Sequence, residues 1–150
     1  MTPLRIELLD PIKLPLVTRL YKVHYPSAKA KKNETTIVCY QNDALCGVVR
    51  FRPLDTFRLL TGMLVLPEYR GQGVAHQLMH YCQQHILGHQ DYCFAYTHLA
   101  PFYAQHGFVS VSTEQLPPPL KGLFVRYCRS GKQLVAMHFK HPTGLKPGGS

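Results

Sequence analysis

A mixed α/β fold, a sheet with helices on both faces, is what this 150-residue sequence predicts. Three observations carry it. Helix-period stretches separate strand-like ones at several points, a run of three strands precedes the main helix, and that helix repeats its apolar residues every four positions. The predicted order is β, α, β, β, β, α, β, α, β, β.

Ile6-Glu7-Leu8-Leu9 reads as a short first strand. Asp10-Pro11 starts a helix, because Asp caps and Pro suits the first turn. Leu14, Val17, Leu20 and Tyr21 fall three to four apart, and the helix must fail near Tyr25-Pro26. Residues 29–33 form a polar loop. Residues 35–40 and 45–51 make a hairpin around Gln41-Asn42-Asp43, and residues 57–66 form a longer strand interrupted by Gly62. Val74, Leu78, Cys82 and Ile86 place the main helix at about residues 73–87, with Gly88 as its C-terminal cap. A strand at 92–96, a short helix at 100–106 ended by Gly107, and strands at 108–111 and 134–139 complete the set. Pro117-Pro118-Pro119 breaks the sheet between the last two strands, and residues 120–127 can form a turn of helix over the site. The Pro- and Gly-rich tail, residues 141–150, is expected to be flexible.

Composition excludes several classes. Apolar residues make up 45% and charged residues 17%, which suits a folded globular chain. No run reaches the roughly 18 apolar residues of a membrane span. The N-terminus lacks a signal-peptide pattern, so a cytoplasmic protein is expected. Five cysteines at irregular spacing form no disulfide framework or zinc motif and read as small buried hydrophobes. No His/Cys/Asp cluster has metal-ligand spacing, so no metal is expected. The net charge of +9 attracts anions, but Lys29, Lys31 and Lys32 form its one short cluster. Neither a basic stripe nor an aromatic RNA-binding motif accompanies it, which argues against a nucleic-acid partner.

The chemistry concentrates in Met63-Leu64-Val65-Leu66-Pro67-Glu68-Tyr69-Arg70-Gly71-Gln72-Gly73-Val74-Ala75. A strand enters a tight turn that opens the main helix. Gly71 and Gly73 hold no side chain against a ligand, backbone amides point outward, and the helix start carries partial positive charge. Such a turn binds phosphate oxygens, and Arg70 adds charge. The competing reading is a glycine-rich helix start with no ligand. The Lys-Ser/Thr of a P-loop is missing, and His76 stands where a dinucleotide fingerprint needs Gly.

Arg70, Gly73 and Ala75 fill the pattern Q/R-x-x-G-x-G/A, after the lead-in Val65-Leu66-Pro67-Glu68-Tyr69. Downstream stands Phe102-Tyr103-Ala104-Gln105-His106-Gly107-Phe108. In both blocks the sequence resembles the GNAT family of N-acetyltransferases. The resemblance spans about residues 6–139, with its specific matches within 64–108. It implies a twisted, mostly antiparallel mixed sheet of about six to seven strands, one acetyltransferase domain over residues 1–140, and acetyl-CoA as co-substrate. Where many members carry Asn seven residues before the Tyr, this chain has Tyr96, so that cofactor contact is not carried over.

Direct transfer to an amine follows from the resemblance. Arg70, Gly71, Gln72, Gly73, Val74, Ala75 and His76 hold the pyrophosphate of coenzyme A. Met63, Leu64 and Val65 pair with the pantetheine arm, and a backbone N–H there can stabilise the oxyanion. Tyr103 is the general acid that protonates the departing CoA thiolate. His98 is a candidate base, His138 another, and proton removal through ordered water is the alternative. The acceptor is expected to be a small-molecule amine. Lys121, Phe124, Arg126 and Tyr127 are expected as an aromatic, basic wall for an acceptor with an acidic group. A peptide N-acetyltransferase and a non-catalytic acetyl-CoA sensor are the other readings. A homodimer suits the resemblance, though the sequence carries no interface signal.

Overall fold

The computed structural model describes residues 3–140, and the tail expected at 141–150 lies outside the described residues. In chain order the elements are β1 (Leu4–Leu8), α1 (Leu14–His24), β2 (Thr35–Gln41), β3 (Ala44–Leu54), β4 (Phe57–Val65) and α2 (Val74–His85). There follow β5 (Asp91–Tyr96), α3 (Ala100–Ala104), β6 (Phe108–Ser110), α4 (Pro118–Arg129) and β7 (Leu134–Phe139). The strands take the order β1-β2-β3-β4-β5-β7-β6. The pairs β1–β2, β2–β3, β5–β7 and β6–β7 are antiparallel. This is the mixed α/β sheet architecture expected from the sequence. Two compact units divide the described residues, 3–52 with 60–84, and 53–59 with 85–140. Among the described residues no helix is long and apolar enough to cross a membrane.

In the first unit, Asp10 caps the entering 3-10 turn by accepting from Ile12 N at 3.1 Å, and α1 continues it. The helix stops before Pro26, which has no N–H to extend it. Its inward residues Val17 and Tyr21 pack with Val38, Tyr40, Val48 and Leu64. Each such burial contributes roughly 1.5–3 kcal/mol. The β2–β3 turn uses Asn42 and Asp43 at φ 51° and 65°, the successive left-handed pair that a two-residue hairpin requires. Cys39 and Gly47 are paired across β2 and β3 and lie toward Val74 of α2: a Cβ on Gly47 would stand 3.4 Å from Val74 Cγ1. Because side chains alternate along β3, Gly47 and Val48 face opposite sides, so α1 and α2 cover opposite faces. Residues 36–40 of β2 are buried, as a strand covered on both faces must be.

A buried polar network lies under α1. Arg50 Nη1 donates to the Lys29 carbonyl and to Glu34 Oε1, both at 2.7 Å. Arg50 Nε donates to the Tyr21 hydroxyl at 3.2 Å, and that hydroxyl donates to the Gly62 carbonyl at 2.6 Å. Both charged side chains are within 4% of full burial.

In the second unit, Leu120, Leu123 and Phe124 of α4 pack with Leu59, Tyr92, Leu116 and Ala136. Arg58 grips the fully buried Asp91 with Nε–Oδ1 at 2.9 Å and Nη2–Oδ2 at 2.7 Å. Gly107, at φ 91°, ends the α3 turn where a Cβ would stand 2.7 Å from Phe139 Cε1. Cys39, Cys46, Cys82 and Cys93 are buried and Cys128 is exposed.

Two expectations are corrected. The main helix ends at His85, and Gly88 is not its cap: its N–H donates to Asp91 Oδ2 at 2.8 Å, so the chain leaves the helix early to satisfy a buried carboxylate. The proline run does more than break the sheet, because Pro118 and Pro119 open a 12-residue helix whose first turn needs no N–H donors. That adds a helix between the last two strands.

Burial raises the Tyr21 phenol from 10.0 to about 12, with Arg50 pulling the other way. The folded state then holds this proton more tightly than the unfolded chain. The associated stability is complete below pH ~10 and is lost as pH climbs toward ~12. Urea unfolding at stepped pH should show that decline, and Tyr21→Phe should show a shallower one.

Candidate functional site

In the first unit the predicted site residues begin at the exit of β4. Leu64 turns its side chain into the α1 core at 6% exposure, so only its backbone is offered outward, whereas Met63 and Val65 are half-buried. Gly62 takes φ 65°, and a Cβ there would stand 2.7 Å from both Arg50 Nε and the Tyr21 hydroxyl. The glycine that interrupts β4 is therefore required twice, by conformation and by space.

After β4, Pro67–Tyr69 form a 3-10 turn. Arg70 folds back, its Nε donating to the Val65 carbonyl at 2.8 Å, and Gln72 Nε2 donates to the Glu68 carbonyl at 3.2 Å. Gly71 and Gly73 are exposed at φ 78° and 80°. A Cβ on either meets nothing within 4 Å, so here glycine is demanded by the left-handed backbone alone. Gln77 N donates to the Gly73 carbonyl at 3.0 Å, which makes Gly73 the residue that opens α2. First-turn helix amides have no intrahelical acceptor and carry the positive end of the dipole. Val74 is buried beneath them, Ala75 is half-buried and His76 is exposed. Residues 70–76 thus form an exposed, electropositive turn able to receive an anion.

Tyr103 belongs to the second unit. It lies on α3 at 6% exposure, edge-on to Phe102 at 5.0 Å and Phe108 at 6.0 Å between ring centres. His98 is exposed in the 3-10 turn Thr97–Leu99, with its ring 6.1 Å from that of Tyr96. His138 is held as a structural residue: it stacks on Tyr92 at 4.2 Å, and its Nε2 lies 2.8 Å from the His89 carbonyl. A carbonyl only accepts, so Nε2 is the protonated nitrogen.

The aromatic, basic wall does not form. Phe124 is buried against Phe94 at 5.0 Å between centres, Tyr127 is half-buried at 6.2 Å from Phe94 with Lys132 Nζ 4.7 Å from its ring centre, and Lys121 and Arg126 stay exposed. Leu120, Leu123, Phe124 and Tyr127 stand at the i, i+3, i+4, i+7 spacing of a buried helix face, and that spacing is the signal that separates the two readings. Sequence reasoning also missed Tyr21, Glu34 and Arg50. The available signal was an arginine inside the apolar stretch Val48-Val49-Arg50-Phe51, since a buried guanidinium demands partners. Among the described residues no group of three or more His, Cys, Asp or Glu is placed to hold a metal. A groove of about 580 Å³ runs beside α1, past Ile12, Thr18, Arg19 and Lys32.

Residues 32–110, more than half of the chain, match the acetyltransferase (GNAT) domain model, and the chain belongs to that family. The match covers β2 through β6 and includes both the Gly71–Gly73 turn and Tyr103. Solved structures share the fold. N-acetylglutamate synthase from Neisseria gonorrhoeae, complexed with coenzyme A and N-acetyl-glutamate, is 12% identical with a TM-score of 0.70, over 91% of this chain and 35% of that one. The present chain therefore spans about a third of that enzyme. An acyl-CoA N-acyltransferase from Pseudomonas aeruginosa is 16% identical at TM-score 0.63, over 92% of this chain and all of that one. Naa50 from Arabidopsis thaliana, in complex with the bisubstrate analogue CoA-Ac-MVNAL, is 14% identical at TM-score 0.61, over 91% and 98%. No curated protein matches the chain.

The two kinds of glycine separate by stability. Gly71→Ala should cost about 1 kcal/mol, the strain of a left-handed alanine in open space. Gly62→Ala should cost about 3 kcal/mol or more, because it adds displacement of a buried hydrogen-bonded network. Urea unfolding of the two variants measures the difference.

Proposed function

We propose that this chain is an enzyme that transfers an acetyl group from acetyl-CoA directly to the primary amine of a small molecule. One observation carries the reading: exposed left-handed glycines, Gly71 and Gly73, join the end of β4 to the first turn of α2 in a chain of the GNAT family. Solved relatives of this fold hold coenzyme A or a CoA-linked analogue, which supports acetyl-CoA as the donor. Residues 1–140 act as one catalytic domain, in the cytoplasm.

The roles follow from the chemistry. The amides of residues 71–76, with Arg70 and Gln72, hold the pyrophosphate. The backbone of Met63, Leu64 and Val65 aligns the pantetheine arm and its thioester. The deprotonated amine attacks the thioester carbonyl carbon, a C–N bond forms, and the oxyanion is stabilised by a β4 amide. The C–S bond then breaks as the Tyr103 hydroxyl gives its proton to the thiolate, and the proton that the attacking nitrogen sheds on becoming an amide passes through solvent to restore the phenol. An amine of pKa near ~10 must first lose a proton, which passes to His98 or to ordered water. With Phe124 buried against Phe94, that segment lends no support to an acidic acceptor. No metal is assigned a role.

Thiol release from acetyl-CoA across amines, amino acids, polyamines and peptides tests the reading. Release with a small amine, reduced about a hundredfold or more in Tyr103→Phe, is the expected result. Release only with peptides would move the acceptor to a protein N-terminus. Coenzyme A binding without release from any acceptor would leave a sensor, and no binding would end the proposal. In the same assay, His98→Ala at unchanged kcat/KM assigns proton removal to water.

A further inference from the structure

Gly62 and Met63 share one peptide group. That group is planar and trans, so the Gly62 C=O and the Met63 N–H point in opposite directions. Whatever fixes the carbonyl oxygen therefore aims the amide hydrogen. The oxygen is fixed by the Tyr21 hydroxyl at 2.6 Å, one of the shortest contacts in the first unit. The tyrosine is itself held by Arg50, whose Nε donates to the same hydroxyl at 3.2 Å and whose Cζ lies 4.9 Å from the ring centre. Arg50 in turn is anchored by the loop that follows α1, through the Lys29 carbonyl and Glu34. Glu34 Oε1 also accepts from Lys31 N at 2.8 Å, which closes the loop on itself.

We infer that Tyr21 and Arg50 are positioning residues that aim the Met63 N–H, and that the 29–34 loop sets that aim through Glu34. The inference deepens the acetyl-transfer reading of β4 and rests on it. A hydroxyl that receives from a guanidinium has its own hydrogen committed to the remaining acceptor, so the contact to Gly62 has one direction. The left-handed Gly62 leaves no side chain between the carbonyl and this pair, and a methyl there would displace both. With the carbonyl drawn toward α1, the Met63 amide is directed away from α1. A donor held in that orientation before the reaction needs no reorganisation when charge develops on the thioester oxygen. Loss of the Tyr21 hydroxyl frees the peptide plane to rotate without touching the phosphate-binding turn.

Tyr21→Phe and Arg50→Lys, assayed below their melting temperatures, test this. Each should lower kcat about tenfold or more, with coenzyme A affinity unchanged within about twofold by calorimetric titration. Lysine keeps the charge but lacks the planar fork whose Nε meets Tyr21 while Nη1 meets Lys29 and Glu34, so it should fail to rescue. The Met63 amide should exchange faster in Tyr21→Phe by NMR, while α2 amides keep their parent rates. A parent-like kcat in Tyr21→Phe, or an unchanged Met63 exchange rate, overturns the inference. A parent protein that releases no thiol with any acceptor defeats the acetyl-transfer reading instead, and the Met63 exchange rate then decides alone whether Tyr21 holds the peptide plane.

Discussion

A guanidinium buried in a β-strand must be met by fixed oxygen atoms, and Arg50 imposes that requirement on the whole first unit. Removing its charge from water costs several kcal/mol unless geometry returns it. Glu34 supplies the countercharge, the Lys29 carbonyl a second acceptor and Tyr21 a third. The partners come from two stretches: Tyr21 from α1, and Lys29 and Glu34 from the loop between α1 and β2. A loop rich in lysine is thereby tied to β3 by one side chain, while its Ala28 and Ala30 pack against the α1 core. The same demand reaches β4 through Tyr21, so the backbone excursion at Gly62 is stabilised from beneath. Arg58 and Asp91 repeat the logic in the second unit, where a buried carboxylate determines where α2 gives way to the next turn.

The turn around Gly71 and Gly73 is built on the opposite principle. Nothing crowds Gly71 or Gly73, and the turn is held by its own ends. Arg70 ties back to Val65, and Gln72 ties back to Glu68. An open turn with a left-handed backbone keeps its amides facing solvent, and the helix behind it supplies the field. Rigid support under β4 and an uncrowded turn beyond it suit the two tasks proposed for them, alignment of the reacting group and capture of a polyanion.

Local chemistry made much of this legible in the sequence. The Gly-rich turn, the Asn42-Asp43 hairpin, the Asp10 cap and the Pro26 stop each depend on residues a few positions apart, and the structure has them where local rules put them. The misreadings share a cause, competition from distant partners. Gly88 looks like a cap until Asp91 claims its N–H. Phe124 and Tyr127 look like a recognition surface until α4 must cover Phe94. The Arg50 network was the least legible part, because its members meet across separations of 16 to 41 residues. Its one local trace is a charge within an apolar strand, which announces that partners exist and not which residues they are.

Gly47 shows how far the reach of a single absent methyl extends. It lies on β3, outside the turn and outside α2, yet the first helical side chain, Val74, rests against the space it leaves. The seat of α2 on the sheet is therefore shaped in part by a neighbouring strand. Transplanting residues 65–75 onto another sheet would carry over the loop's shape without its elevation. The transferable unit is the loop together with a small residue on the strand before β4, since a methyl at Gly47 would already stand at the edge of contact, 3.4 Å from Val74 Cγ1.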